Sequence, residues 1–217
     1  ESNIKITGSN PSSYLRVGGF IGYLQNATLN IDDSWTVNNM NVENGYAAGM
    51  IAEEFFSTTN ITDSYVKNSD ISTPCTKAGI SCKASATVGE ASGGSSNPFT
   101  MNNSYVRNTR ASGNYASSVA GYISTPMTLN NISFVNTDIN GTEYAGNITG
   151  QISGSGTFYL DTLFINNSRV FVQGTNDFSA AGGVIGDTTF TGTLNIENLS
   201  VNATVEMEHS EKPSGLL

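Results

Sequence analysis

Histidine is almost missing from this 217-residue chain: the one copy is His209, in the polar stretch Glu206-Met-Glu-His-Ser-Glu-Lys-Pro213. A single tail histidine excludes a Ser-His-Asp triad, a Cys-His pair or a multi-histidine metal centre built by this chain alone. Charge is scarce too. Only 12% of residues are charged, and the formal net charge of −9 repels a nucleic-acid backbone or an anionic membrane surface. The acids do not gather: Asp32-Asp33 and Glu53-Glu54 are the adjacent pairs, neither recurs in register, and both read as solvated surface rather than as a repeat-borne metal site. No apolar run approaches the roughly 18 to 20 residues that span a bilayer, so no membrane insertion is expected. The chain begins at Glu1, which fits either removal of a leader or excision from a longer protein. Stretches rich in Ala, Leu, Glu and Lys with a period near 3.6 are absent, whereas β-branched and aromatic residues alternate with Gly, Asn and Ser punctuation. The class is all-β.

What the sequence does have is repetition. An eight-residue phrase returns six times, at Ile31 to Asn38, Ile61 to Asn68, Met101 to Asn108, Leu129 to Asn136, Leu160 to Asn167 and, more loosely, Ile196 to Ala203. Successive starts are 30, 40, 28, 31 and 36 residues apart, the range in which a repeat means a solenoid, propeller or array. A second phrase precedes each copy: Phe20-Ile-Gly22, Met50-Ile-Ala52, Thr87-Val-Gly89, Val119-Ala-Gly121, Ile148-Thr-Gly150 and Val184-Ile-Gly186. One unit holds too few large apolar residues to close a core, so its buried face must be completed by its neighbours. Stacked in parallel, position n of one copy lies about 4.8 Å from position n of the next, and a recurring residue becomes a column.

Three columns are expected. One is aliphatic: Ile31, Ile61, Met101, Leu129, Leu160 and Ile196. A second runs through Ile21, Ile51, Val88, Ala120, Thr149 and Ile185. The third is a structural Asn column of Asn38, Asn68, Asn108, Asn136 and Asn167, because stacked amides can hydrogen-bond from copy to copy and Asn tolerates the left-handed backbone of a corner. Tyr65 and Tyr105 in the Ser-Tyr phrase, and Tyr23 and Tyr122 after Gly, read as inward packing or stacked columns before they read as sugar platforms.

Val17-Gly-Gly-Phe-Ile-Gly22 and Ala181-Gly-Gly-Val-Ile-Gly186, with strands such as Asp63-Ser-Tyr-Val66 and Asn103-Ser-Tyr-Val106, resemble the GLUG-type repeats of large surface proteins over roughly residues 17 to 207. That resemblance implies a right-handed parallel β-helix (β-solenoid) of about six turns with an extracellular or cell-surface structural or adhesive role. Residues 1–16 are then a lead-in strand or inter-subunit segment, 17–207 the solenoid with an excursion at 72–98, and 208–217 a polar tail. Neither end reads as a capping helix. The expected partners are therefore copies of the same subunit docking head to tail into a fibre, or neighbouring repeats of a longer chain, with a glycan or protein as ligand.

Cys75 and Cys82 bracket six residues of that excursion and are expected to form a local disulfide, since two further metal ligands are absent. Lys77 and Lys83 make the same excursion a candidate contact loop. Nine Asn-X-Ser/Thr sequons occur, at Asn26, Asn60, Asn102, Asn131, Asn140, Asn147, Asn166, Asn198 and Asn202; a chain so rich in these residues yields several by chance. Asn26, Asn60 and Asn140 are expected outside strands, and Asn147 beside a core phrase. β-Helices also host polysaccharide-cleaving enzymes, and Asn136-Thr-Asp138 and Asp32-Asp33 superficially resemble polygalacturonase fragments. Gly-His-Gly and Arg-Ile-Lys are missing, however, and the two fragments fall about three copies apart. No catalytic residue, metal ligand or cofactor is assigned.

Overall fold

The computed structural model describes residues 2–6, 15–76, 79–174 and 179–208. Among them there is no helix, and every strand pairing is parallel, in one 14-stranded and one 6-stranded sheet. Each copy of the repeat lies against the next in register. Ile31 pairs with Ile61, Ile61 with Met101, Met101 with Leu129, Leu129 with Leu160 and Leu160 with Ile196. The Gly-preceding phrases form the smaller sheet, where Ile21, Ile51, Val88, Ala120, Thr149 and Ile185 align without a break. Both expected apolar columns exist as spatial rows.

Alternation drives this arrangement. In Thr58–Thr62 the second and fourth side chains are buried and their neighbours half-buried. The buried members of successive copies meet in a core containing Ile61, Met101, Leu129, Phe134 and Leu160; Met40, Ile71, Ile139 and Val170 belong to a second core. Each such side chain contributes roughly 1.5 to 3 kcal/mol by leaving water.

Corners separate the strands, and polar residues make them. Asp33, Asp63, Asn103, Asn131, Thr162 and Asn198 all have positive φ, as do Asn68, Asn108, Asn136 and Asn167 five residues further along in four copies. The residue after such a corner is often a hydroxyl facing inward. Ser64 Oγ donates to Thr62 O at 2.7 Å and Ser104 Oγ to Asn102 O at 2.7 Å, while the Ser64 N–H donates to Ser104 Oγ at 3.2 Å. Side chain and backbone thus close the bend together.

The bend between the two sheets needs small residues for another reason. A Cβ on Gly49 would stand 2.1 Å from the Ala86 carbonyl oxygen, and one on Gly121 would meet the Gly89 carbonyl oxygen at 2.8 Å and the Tyr115 carbonyl oxygen at 3.1 Å. Backbone occupies the space that a side chain would take.

The excursion at 72–98 and the solvated Glu53-Glu54 pair need correction. Residues 72–98 are not one excursion: Lys83–Ser85 and Val88–Ser92 are strands in register, so two separate loops flank them. Within the lead-in segment Ser2–Ile6 pairs with Asn38–Val42 as a further parallel strand. Apart from Glu208, the tail, His209 included, lies outside the described residues. Glu53 and Glu54 are not solvated surface either, being 9% and 1% exposed.

Candidate binding surface

The fifth position of the repeated phrase points outward, between two buried neighbours in the second to fifth copies, and in the first three copies it is aromatic. Trp35 pairs with Tyr65 and Tyr65 with Tyr105. Their rings are nearly parallel: Trp35 and Tyr65 lie 6.0 Å apart at 4°, and Tyr65 and Tyr105 4.5 Å apart at 5°. Lys67 Nζ covers the pair at 4.6 Å from the Trp35 centroid and 5.1 Å from that of Tyr65. The next residue in the column is Ser133, followed by Phe164 and Ser200. Trp35 and Phe164 are each 46% exposed. Where Ser133 interrupts the rings there is a hollow of about 340 Å³ lined by Tyr105, Val106, Arg107, Ser133 and Val135. Burial first, then neighbouring Tyr65, hold the Tyr105 phenol above its ordinary range.

Charge is distributed unevenly around this stripe. Beyond the Asn corner, Arg110 pairs with Asp138 at 3.7 Å, and Arg169 with Asp138 at 3.3 Å and Glu206 at 2.8 Å. Among the described residues neither Lys67 nor Arg107 meets a carboxylate. Lys83, by contrast, is no loop contact. It is buried among Tyr46, Tyr115 and Tyr122, with its Nζ 2.6 Å from Glu90 and 4.3 Å from the Tyr46 centroid. Burial, then the Glu143 charge, push the Tyr115 phenol up to about 12. Lys77 lies outside the described residues. Of the other tyrosines weighed for stacking, Tyr23 is exposed with Arg16 over its ring at 4.7 Å, and Tyr122 is half-buried beside Lys83.

The Asn column is a ladder over four members: Asn108 Nδ2 donates to Asn68 Oδ1 at 3.1 Å, Asn136 to Asn108 at 2.8 Å and Asn167 to Asn136 at 2.7 Å. Asn38 does not belong to it. With Trp35 opposite Tyr65 and Asn39 opposite Asp70, residues 36–38 span what 66–69 span in the next copy, so the first copy lacks the corner residue. Asn38 falls instead beside Ser69, buried, with its Nδ2 donating to Gly49 O at 2.9 Å. The sixth copy has the same omission: Asn202 pairs with Asn166 and Ala203 with Ser168, leaving Asn167 without a counterpart. The earlier corner column, Asp33 to Asn198, escaped the sequence reading although an Asp, Asn or Thr stands at its position in every copy.

Cys75 and Cys82 are disulfide-bonded, with Cα atoms 5.8 Å apart. Intact mass should rise by two alkylations only after reduction; two thiols in untreated protein would count against the bond. The sequons are less uniform than expected. Asn26 lies outside strands and is exposed, but Asn60 and Asn140 sit within strands and are half-buried, like Asn102 and Asn166. Asn131, Asn198 and Asn202 are exposed. Asn147 is fully buried, accepting from Thr137 Oγ1 at 2.8 Å and donating to Gly183 O at 2.8 Å, so the folded chain has no room for a glycan there.

Of the enzyme-like fragments, Asn136-Thr-Asp138 is engaged in structure, and Asp32-Asp33 is exposed with Asp33 at a positive-φ corner. Thr137 bonds Asn147 and Ser168, and Asp138 pairs with two arginines. Among the described residues no three His, Cys, Asp or Glu side chains converge on a metal-sized space, and no helix is long and apolar enough to cross a membrane. No family model, no curated protein and no solved structure matches the chain. The arrangement offers aromatic faces, amide ladders and two cations, Lys67 and Arg107, that meet no carboxylate among the described residues.

Proposed function

We propose that this chain is a right-handed parallel β-solenoid of about six turns in an extracellular or cell-surface protein of the GLUG-repeat kind, with a structural and adhesive role. The observation that carries the reading is the pairing of every repeat with the next, parallel and in register over long stretches such as Met127–Gly141 on Phe158–Val172. A stack of this kind makes a long rigid body whose outward columns are surfaces for a glycan or protein ligand. The Cys75–Cys82 disulfide supports an oxidising compartment. Catalysis, a metal and a cofactor have no part in it.

Head-to-tail assembly belongs to the same reading. Among the described residues Thr193–Met207 pairs on one side only, and Leu194, Ile196, Leu199 and Val201 in that last row are half-buried where their counterparts further in are fully buried. A second copy, or further repeats of a longer chain, would complete the row. Negative-stain images and light scattering over a wide concentration range should show filaments that Val201→Lys abolishes. A strictly monomeric protein, indifferent to that change, would remove the fibre and leave a monomeric glycan- or protein-binding module.

A further inference from the structure

We propose that the hollow lined by Tyr105, Arg107 and Ser133 is a binding site for one pyranose residue of an acidic glycan, with the sugar ring against Tyr105 and its carboxylate on Arg107. This names the ligand class of the adhesive reading and rests on it.

Spacing comes first. Tyr65 is stacked between Trp35 on one side and Tyr105 on the other, so its faces are occupied. The side of Tyr105 away from Tyr65 meets Ser133, a short side chain, before the column becomes aromatic again at Phe164. Two strand spacings separate Tyr105 from Phe164, about 10 Å at roughly 4.8 Å each. A ring in van der Waals contact with a wall on both sides needs about 7 to 8 Å. One ring fits; two do not.

Polarity then selects the kind of ring. The short strand segments that line the hollow end at amide ladders, with Asn131 Nδ2 donating to Asn103 at one corner and Asn136 to Asn108 and Asn167 to Asn136 at the other. Each ladder amide keeps further donor and acceptor capacity that ring hydroxyls can use and an aromatic or aliphatic side chain cannot. Charge selects further. The chain carries a net −9, yet Arg107 lines the hollow and Lys67 is its neighbour in register, and among the described residues neither meets a carboxylate. An arginine free to take both oxygens of a carboxylate favours a uronic-acid type of sugar over a neutral one.

The test uses the full chain, titrated with tetragalacturonate and with neutral maltotetraose by calorimetry and by NMR. Tetragalacturonate should bind at least tenfold tighter than the neutral sugar and weaken as salt rises. Arg107→Gln and Tyr105→Leu should each lose about tenfold, and Phe164→Ala several-fold, with unfolding midpoints close to the parent's. Phe20→Ala, an exposed ring elsewhere, should change nothing. Glycan binding that survives both Arg107→Gln and Tyr105→Leu overturns this site but leaves the adhesive reading intact. Failure to retain any glycan overturns the site and the glycan arm of that reading together. Displacement of tetragalacturonate by an acidic tryptophan peptide that itself binds at least tenfold tighter overturns it in favour of a protein ligand.

Discussion

Glu54→Leu should gain stability over the parent as pH rises, by about 3 kcal/mol more at pH 7 than at pH 4.5. Glu54 stands in an inward-facing row between Leu24 and Ala91, 1% exposed, and neither carboxyl oxygen has a partner in hydrogen-bond geometry. Burial pushes its carboxyl from 4.5 up to about 8, opposed by the nearby Thr59 hydroxyl. In the folded chain the group therefore keeps its proton at neutral pH. Below the unfolded value both states are protonated and this group contributes no pH slope. Between the two values the unfolded state releases its proton and the folded state does not, so stability falls as pH rises and levels off above the folded value. At about 1.4 kcal/mol per pKa unit, the loss reaches roughly 3 kcal/mol by pH 7 and 4 to 5 above pH 8. Leucine has no proton to lose and continues the Leu24 row. Urea titrations of parent and variant at pH 4.5, 6, 7 and 8.5 decide this: parallel pH profiles would show that Glu54 does not titrate as a buried acid.

Leu129→Ala should cost about 2 to 5 kcal/mol, and Ile80→Ala under about 1. Leu129 is fully buried in the aliphatic row, between Met101 and Leu160, so truncation leaves a cavity that rows pinned on both sides by backbone hydrogen bonds cannot collapse into. Ile80 is half-buried in the loop that the disulfide closes. Equal shifts in denaturant midpoint would mean that the row does not bear the packing assigned to it.

The apolar rows and the Asn ladder were legible in the sequence because parallel stacking turns a recurring position into a spatial neighbour. For Ile31 through Ile196 that rule needs only the spacing of the copies. The aromatic column was legible in the same way: Trp35, Tyr65, Tyr105, Ser133, Phe164 and Ser200 hold one place in the phrase. Reading Tyr65 and Tyr105 by themselves missed Trp35 at one end and the gap at Ser133. The corner at Asp33 to Asn198 went unseen because Asp, Asn and Thr share a backbone preference there and not a name.

Other features were decided by pairing alone. Asn38 looks like the ladder's first rung, yet one missing residue moves it inward, since a strand pairs by position along the neighbour and not by the letter it carries. Glu53 and Glu54 read as one acidic pair until strand alternation sends Glu54 into the core and Glu53 toward Arg16. Lys83 sits in a loop-like stretch of sequence, but its strand aligns with Tyr46 and Tyr115, and their rings enclose it. Period alone determined which residues recur and therefore stack. Which way each side chain faces, and what space a small one leaves between two large ones, depends on register and on neighbours about thirty residues away in sequence, which only the tertiary structure brings into contact.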